Sequence, residues 1–167
     1  MEFVIDQLDQ HQSLFKALLK DLDTPMILWK QTPEKWCLLE IVCHLYDEER
    51  NDFRCRTQLV LEKPNDTPPP FDPIEWVTKH RYLEQDYHQM LNKFLNERQQ
   101  SLKWLKSLKS PKWDNSYRHP QRGLQSATHF LDNWLAHDYL HIRQIIKLKF
   151  DYLKQQSSSN LDYAGKW

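Results

Sequence analysis

The sequence predicts an all-α protein, an antiparallel four-helix bundle with a long proline-rich crossover between its second and third helices. Three observations carry that prediction. Apolar residues recur at helical spacing in four long stretches. The breaks between them are rich in proline and turn-forming residues, and no run alternates apolar and polar residues as a half-buried strand would. The 167 residues, 40% of them hydrophobic, suffice for one domain with a substantial core. That domain is placed at residues 1–156, with 157–167 as a flexible linker and tail.

The first helix is expected from about Phe3 to Asp21, with Val4, Leu8, Phe15, Leu18, Leu19 and Leu22 on one stripe, ending near Asp23-Thr24-Pro25. A connector through Trp29 follows. Thr32 as cap, Pro33 at a first helical position and Glu34 against the dipole open the second helix, which runs to about Glu62. From Lys63 to Pro73 come five prolines, which forbid a helix and favour a stiff extended crossover. The third helix is expected from Asp72-Pro73 to about Lys109, closed by Ser110-Pro111. A polar loop from Lys112 to Gly123 leads to a fourth helix from about Leu124 to Gln155. The tail beyond Ser157-Ser158-Ser159-Asn160 carries Leu161, Tyr163 and Trp167, which are expected to dock on the bundle.

Composition removes several function classes. Two glycines are too few for the phosphate-cradling turns of nucleotide-binding folds. Lys plus Arg and Asp plus Glu number 23 each, so no net field favours nucleic acid or anionic lipid. The acidic amino terminus and the absence of a long apolar run give the expectation of a soluble, cytoplasmic protein without membrane partners. Cys37, Cys43 and Cys55 crowd one helix, which argues against a disulfide framework and for a reducing compartment.

The informative pattern is a set of three histidines. His137 and His141 stand one turn apart on the fourth helix, 40° apart in direction, and share their face with Phe130 and Leu148. His44 shares its direction with Cys37, Ile41, Cys55 and Leu59 on the second helix. Three inward imidazoles match the donor set of catalytic zinc, and imidazole also suits nickel, iron and manganese. Cys37 and Cys55 lie roughly 10 and 16 Å from His44 along the helix axis, too far to share a first shell. Glu48, one turn after His44, is the candidate for an auxiliary catalytic role, as a base, a direct ligand or a group orienting a ligand. Asn51 and Gln144 point into the same neighbourhood.

The remaining polar groups have blander readings. Asp138 is expected to be a surface or interhelical partner, and the run Asp47-Glu48-Glu49-Arg50 mostly a solvated face. His11, His80, His88 and His119 are expected on the surface, with His129 at most edging a pocket. Substrate is expected to enter between the loop around Trp113 to His119 and the proline-rich crossover.

These residues resemble the DinB-like superfamily of metal-binding four-helix bundles. The run Trp36-Cys37-Leu38-Leu39-Glu40-Ile41-Val42-Cys43-His44-Leu45-Tyr46-Asp47-Glu48-Glu49 is similar to the family's second-helix pattern. Gly123-Leu124 and His137-Asp138-Tyr139-Leu140-His141-Ile142-Arg143-Gln144-Ile145 are similar to its fourth helix. The resemblance implies a divalent ion, nickel or zinc, held at His44, His137 and His141, and a homodimer. It also implies chemistry of the kind done by metal-dependent thiol S-transferases acting on a small-molecule thiol and an electrophile, or by hydrolases, in stress or detoxification. A non-catalytic, metal-stabilised homodimeric stress or scaffold protein is the alternative, and a plain bundle with three core histidines a third.

Overall fold

A computed structural model describes residues 1–70 and 72–165. Four long helices form the expected bundle: α1 (Glu2–Leu19), a continuous second helix, α6 (Tyr87–Ser107) and α7 (Ala127–Gln156). The second helix consists of α3 (Leu38–Asp47), a π-helical turn (Glu48–Phe53) and α4 (Arg54–Glu62). Short α2 (Thr24–Leu28) and α5 (Pro73–Lys79), with a 3₁₀ turn at Tyr82–Glu84, fill the connections. None of the described helices is long and apolar enough to cross a membrane.

Each long helix has one parallel and one antiparallel neighbour. α1 runs against α6, as contacts of Asp9 with Lys106, Gln12 with Leu95 and Leu19 with Tyr87 show. It runs alongside α7, where Gln7 meets Tyr139 and Leu18 meets Lys149. The second helix opposes α7, through His44 with His137, Glu49 with Trp134 and Val60 with Phe130 and Ala127. It parallels α6: α3 packs with Met90, Leu91 and Phe94, whereas Phe53 packs with Leu102 and Leu105. Parallel consecutive helices require a connection that travels back the length of the bundle. The crossover after Glu62 supplies it, and Arg56 Nη2 pins it by donating to the Pro69 carbonyl at 2.7 Å.

The core is layered along the bundle axis. One apolar layer joins Phe15 and Leu19 to α3, Phe94, Ile142, Ile145 and Leu148. The other joins Val4 and Leu8 to Phe53, Leu102, Leu105, Leu131 and Trp134. Between them each long helix contributes one buried polar residue: His11, Glu49, Arg98 and Asp138. Arg98 Nε donates to both Glu49 oxygens at 3.0 Å, and its terminal nitrogens donate to Asp138 Oδ2 and Oδ1 at 2.7 and 2.8 Å. His11 Nδ1 lies 3.1 Å from Asp138 Oδ2, and Trp134 Nε1 donates to Glu49 at 2.9 Å. All four charged and ring groups are thus partnered, the condition under which buried charge is tolerated.

Several boundaries differ from the sequence expectation. The second helix starts at Leu38, because Glu40 reaches back to accept from the Cys37 N–H at 2.9 Å, and Lys30 Nζ holds that carboxylate at 2.7 Å. Thr32-Pro33 forms a turn instead. The expected third helix is broken between Lys79 and Tyr87: Arg81 adopts φ 49°, and Asp86 caps a new start by accepting from Gln89 N at 2.8 Å. Part of the expected polar loop is a hairpin, β1 (Ser116–His119) paired with β2 (Gly123–Ser126), with Gly123 at φ 73° closing the turn. Leu124 therefore belongs to β2, and Ser126 caps α7. In the tail, Leu161 is half-buried and Tyr163 fully exposed, so the described part does not dock as expected. Trp167 lies outside the described residues.

Candidate metal centre

His44 comes from the last turn of α3, and His137 and His141 from the middle of α7. The antiparallel contact of those helices brings together residues 93 positions apart. His137 Nε2 lies 3.2 Å from His44 Nε2 and 3.1 Å from His141 Nε2, and one nitrogen from each ring lies within 4.8 Å of the others. Nitrogens held 2.0–2.1 Å from a tetrahedral ion stand about 3.3 Å apart. The two printed separations match that spacing, and all three nitrogens lie close enough to share one divalent ion. Among the described residues this is the cluster of His, Cys, Asp and Glu with metal-binding spacing.

The rings are held in their neutral form, the form in which imidazole can ligate. Burial, with the neighbouring imidazoles, pushes His44 down to about 2. Burial and His141 lower His137 to about 3, and burial lowers His141. Trp36 packs on His44 with ring centroids 4.9 Å apart, and Phe53 on His137 at 5.0 Å, so aromatic walls flank the three nitrogens. His44 Nδ1 and His141 Nδ1 are buried with no hydrogen-bond partner. An imidazole with both nitrogens buried, one of them orphaned, is costly unless the other is satisfied by something stronger than a neighbouring imidazole.

Glu48 sits beside this set, reached through the π turn. Its Oε1 is 3.8 Å from His44 Nδ1, longer than a hydrogen bond, on the nitrogen opposite Nε2. Burial, reinforced by Asp52, raises the Glu48 carboxyl to about 8. Burial likewise raises Asp52, against the opposing pull of Arg56, with which it is ion-paired. The π turn explains why this charge run is not a solvated face. Its wider winding points Glu48, Glu49, Asp52 and Phe53 inward together, and Asp47 is buried where His80 Nδ1 and Tyr82 Oη reach its Oδ2 at 2.7 Å.

Other expectations are corrected in the same region. His11 is buried against Asp138, which is itself fully buried and meets the interhelical half of its expectation. Asn51 turns to Asp47 Oδ1 at 3.3 Å, not to the histidines. His80 is only partly exposed, being tied to Asp47, and His119 is half-buried. Gln144 does line the surface beside His141, and His129 edges a cleft as expected. Cys37 and Cys43 are buried and Cys55 half-buried, and all three are free thiols. Arg98 and Glu49 were not singled out by sequence reasoning. The signal was present: Leu91, Phe94, Leu102 and Leu105 place Arg98 in the middle of an apolar stripe.

A cleft of about 680 Å³ opens on His137. Phe53, Phe130 and Leu140 line it near α7, Pro68 to Pro70 of the crossover form one wall, and Tyr117 with His119 to Arg122 of the hairpin another. Both walls were expected from the sequence.

A family model described as the DinB superfamily matches residues 7–145. Among solved structures, the chain is similar to YfiT from Bacillus subtilis, described as a probable metal-dependent hydrolase with an unusual four-helix bundle topology. The two share 18% identity and a TM-score of 0.79, over 90% of this chain and 86% of that one. That likeness establishes the fold. No curated protein matches.

Proposed function

The chain belongs to the DinB superfamily, and from that premise we propose that it is a metal-dependent hydrolase whose divalent ion, zinc or nickel, is held by His44, His137 and His141. The observation that carries this reading is the convergence of three neutral Nε2 atoms, with that of His137 3.1–3.2 Å from the other two, beside an open cleft. The description of YfiT supports it. A divalent ion bound there lowers the pKa of a coordinated water, so that a nucleophile exists at neutral pH.

The chain's own residues do the rest. Burial keeps the three imidazoles unprotonated, and Trp36 and Phe53 shield them from bulk solvent. Glu48 stands on the Nδ1 side of His44, opposite the nitrogen that converges on the site, and burial raises its carboxyl to about 8. The cleft delivers substrate to the His137 side between crossover and hairpin. A small-molecule thiol in place of water gives the S-transferase form of the same chemistry, and pairing of two copies belongs to the same proposal.

Elemental analysis tests the metal. Protein purified without chelators and offered zinc and nickel is expected to hold about one equivalent, and His137→Ala to hold far less. No stoichiometric metal in the parent protein refutes the reading. Metal without turnover of ester, amide or thiol-plus-electrophile substrates favours the scaffold alternative, and a monomer in equilibrium sedimentation refutes the pairing.

A further inference from the structure

The hairpin rim of the cleft carries a set of hydrogen-bond donors with no acid to answer them. His119 Nδ1 accepts from the backbone N–H of Gln121 and Arg122 at 3.0 and 3.2 Å, so its proton resides on Nε2. Asn133 Nδ2 donates to the His129 carbonyl at 2.8 Å, which fixes its amide orientation, and also approaches His129 Nδ1 at 3.3 Å. His129 too therefore carries its proton on Nε2. Arg122, exposed at the turn, has no carboxylate partner among the described residues. All three line the cleft.

Gln125 adds a second kind of observation. It pairs with Tyr117 across the hairpin, so both face the cleft with His119, two residues further along the strand. Gln125 is only 8% exposed, yet its side-chain amide has no partner among the described residues. The strand thus holds a polar group open to the cleft and free to bond what enters it. The one carboxylate among the lining residues, Asp52, is already ion-paired with Arg56.

We propose that this rim, His119, Arg122, Gln125 and His129, binds the carboxylate end of an elongated small-molecule substrate whose reacting group lies at the three histidines. His129 precedes His137 by eight residues on one helix, which places the rim about 12 Å from the centre along the axis. The substrate class is thus an acid with its scissile or electrophilic group roughly that far from the carboxylate, the intervening chain lying against Pro68 to Pro70, Phe53 and Phe130. The inference rests on the proposed metal centre for the reacting end only.

Calorimetric titration of the zinc-loaded full chain at low salt with octanoate, octanamide and octyl phosphate tests it. The eight-carbon probes roughly match the span. Octanoate is expected to bind about tenfold more tightly than octanamide. Arg122→Ala and Gln125→Leu are expected to remove most of that preference while zinc content stays unchanged. Equal binding of acid and amide, or a preference that survives both substitutions, overturns the proposal. Tighter binding of octyl phosphate overturns the choice of carboxylate. The metal-free chain separates the two readings. A preference retained there supports the rim, whereas one seen only with zinc puts the carboxylate on the ion and refutes it. Failure to take up zinc sinks the metal centre and leaves the rim to be scored on the metal-free chain.

Discussion

Replacing Arg98 with methionine should be among the most damaging single changes this protein can suffer. The guanidinium is 1% exposed and makes two bonds each to Glu49 and Asp138, which are themselves 1% and 0% exposed. Methionine fills a similar length but leaves two carboxylates buried without their cation. Breaking a buried ion pair by removing one partner costs about 3–5 kcal/mol. For a chain of this size each kcal/mol moves the midpoint by about 2–4 °C, so thermal unfolding followed by circular dichroism should fall by about 10 °C or more.

The sign of the pH response gives a sharper test. In the parent, burial alone would raise the Asp138 carboxyl, but Arg98 more than reverses this and holds it below its ordinary value. The parent's contribution from Asp138 is therefore present above the unfolded pKa of about 3.9 and lost as pH falls through the folded value. In Arg98→Met burial moves the folded Asp138 carboxyl the other way, and stability should rise as pH falls from 7 towards 5. Adding Glu49→Gln and Asp138→Asn should recover about 2 kcal/mol relative to Arg98→Met alone. A midpoint within 2 °C of the parent for Arg98→Met, with no change in pH response, would show that the polar layer is not the energetic unit described.

Other consequences can be checked directly. Saturating zinc or nickel, at a hundredfold excess over Kd, should stabilise the fold by about 2.7 kcal/mol, read as a midpoint rise of about 5–10 °C that His44→Ala abolishes. The metal-stripped protein should lose stability as pH falls below about 6.5, because the unfolded chain binds protons that the depressed folded histidines refuse. By pH 5.5 His44 and His137 each account for about 1 kcal/mol, with His141 adding in the same direction, and replacing His44 with glutamine should flatten the curve measured by urea titration. Glu48→Ala should weaken metal affinity by about tenfold or more in a chelator competition while leaving the stoichiometry intact; unchanged affinity would remove Glu48 from the centre. Trp134→Phe, which loses the bond to Glu49, should cost about 1–2 kcal/mol of stability without altering metal stoichiometry.

What the sequence disclosed follows from periodicity. The four long helices, the crossover and the inward histidines were legible because apolar spacing and prolines report on local winding and on breaks. The hairpin was not, since β1 and β2 are four residues each and Tyr117 and Gln125 are its inward pair, too short a run to show alternation. His11 and Glu49 looked solvated because their charge or polarity was read without its partner, and Arg98 lies about 50 residues from Glu49 and 40 from Asp138. Asp138, expected as a surface or interhelical partner, proves to be the interhelical one, because Leu131, Trp134, Ile142 and Ile145 place it at the centre of the buried stripe.

The π turn at Glu48–Phe53 acts as a phase shifter in the second helix. A single surplus residue in a helix rotates everything beyond it by about 100° relative to what precedes. The facing of His44 towards α7 and the facing of Val60 and Thr57 into the core are thereby set independently. Deleting one residue from the turn would leave either the histidine or α4 correctly aimed, but not both. The same offset explains why Cys55, predicted to share the direction of His44, ends only half-buried. A helix of uniform winding through this segment could carry the centre or close the bundle; this one does both by changing step between them.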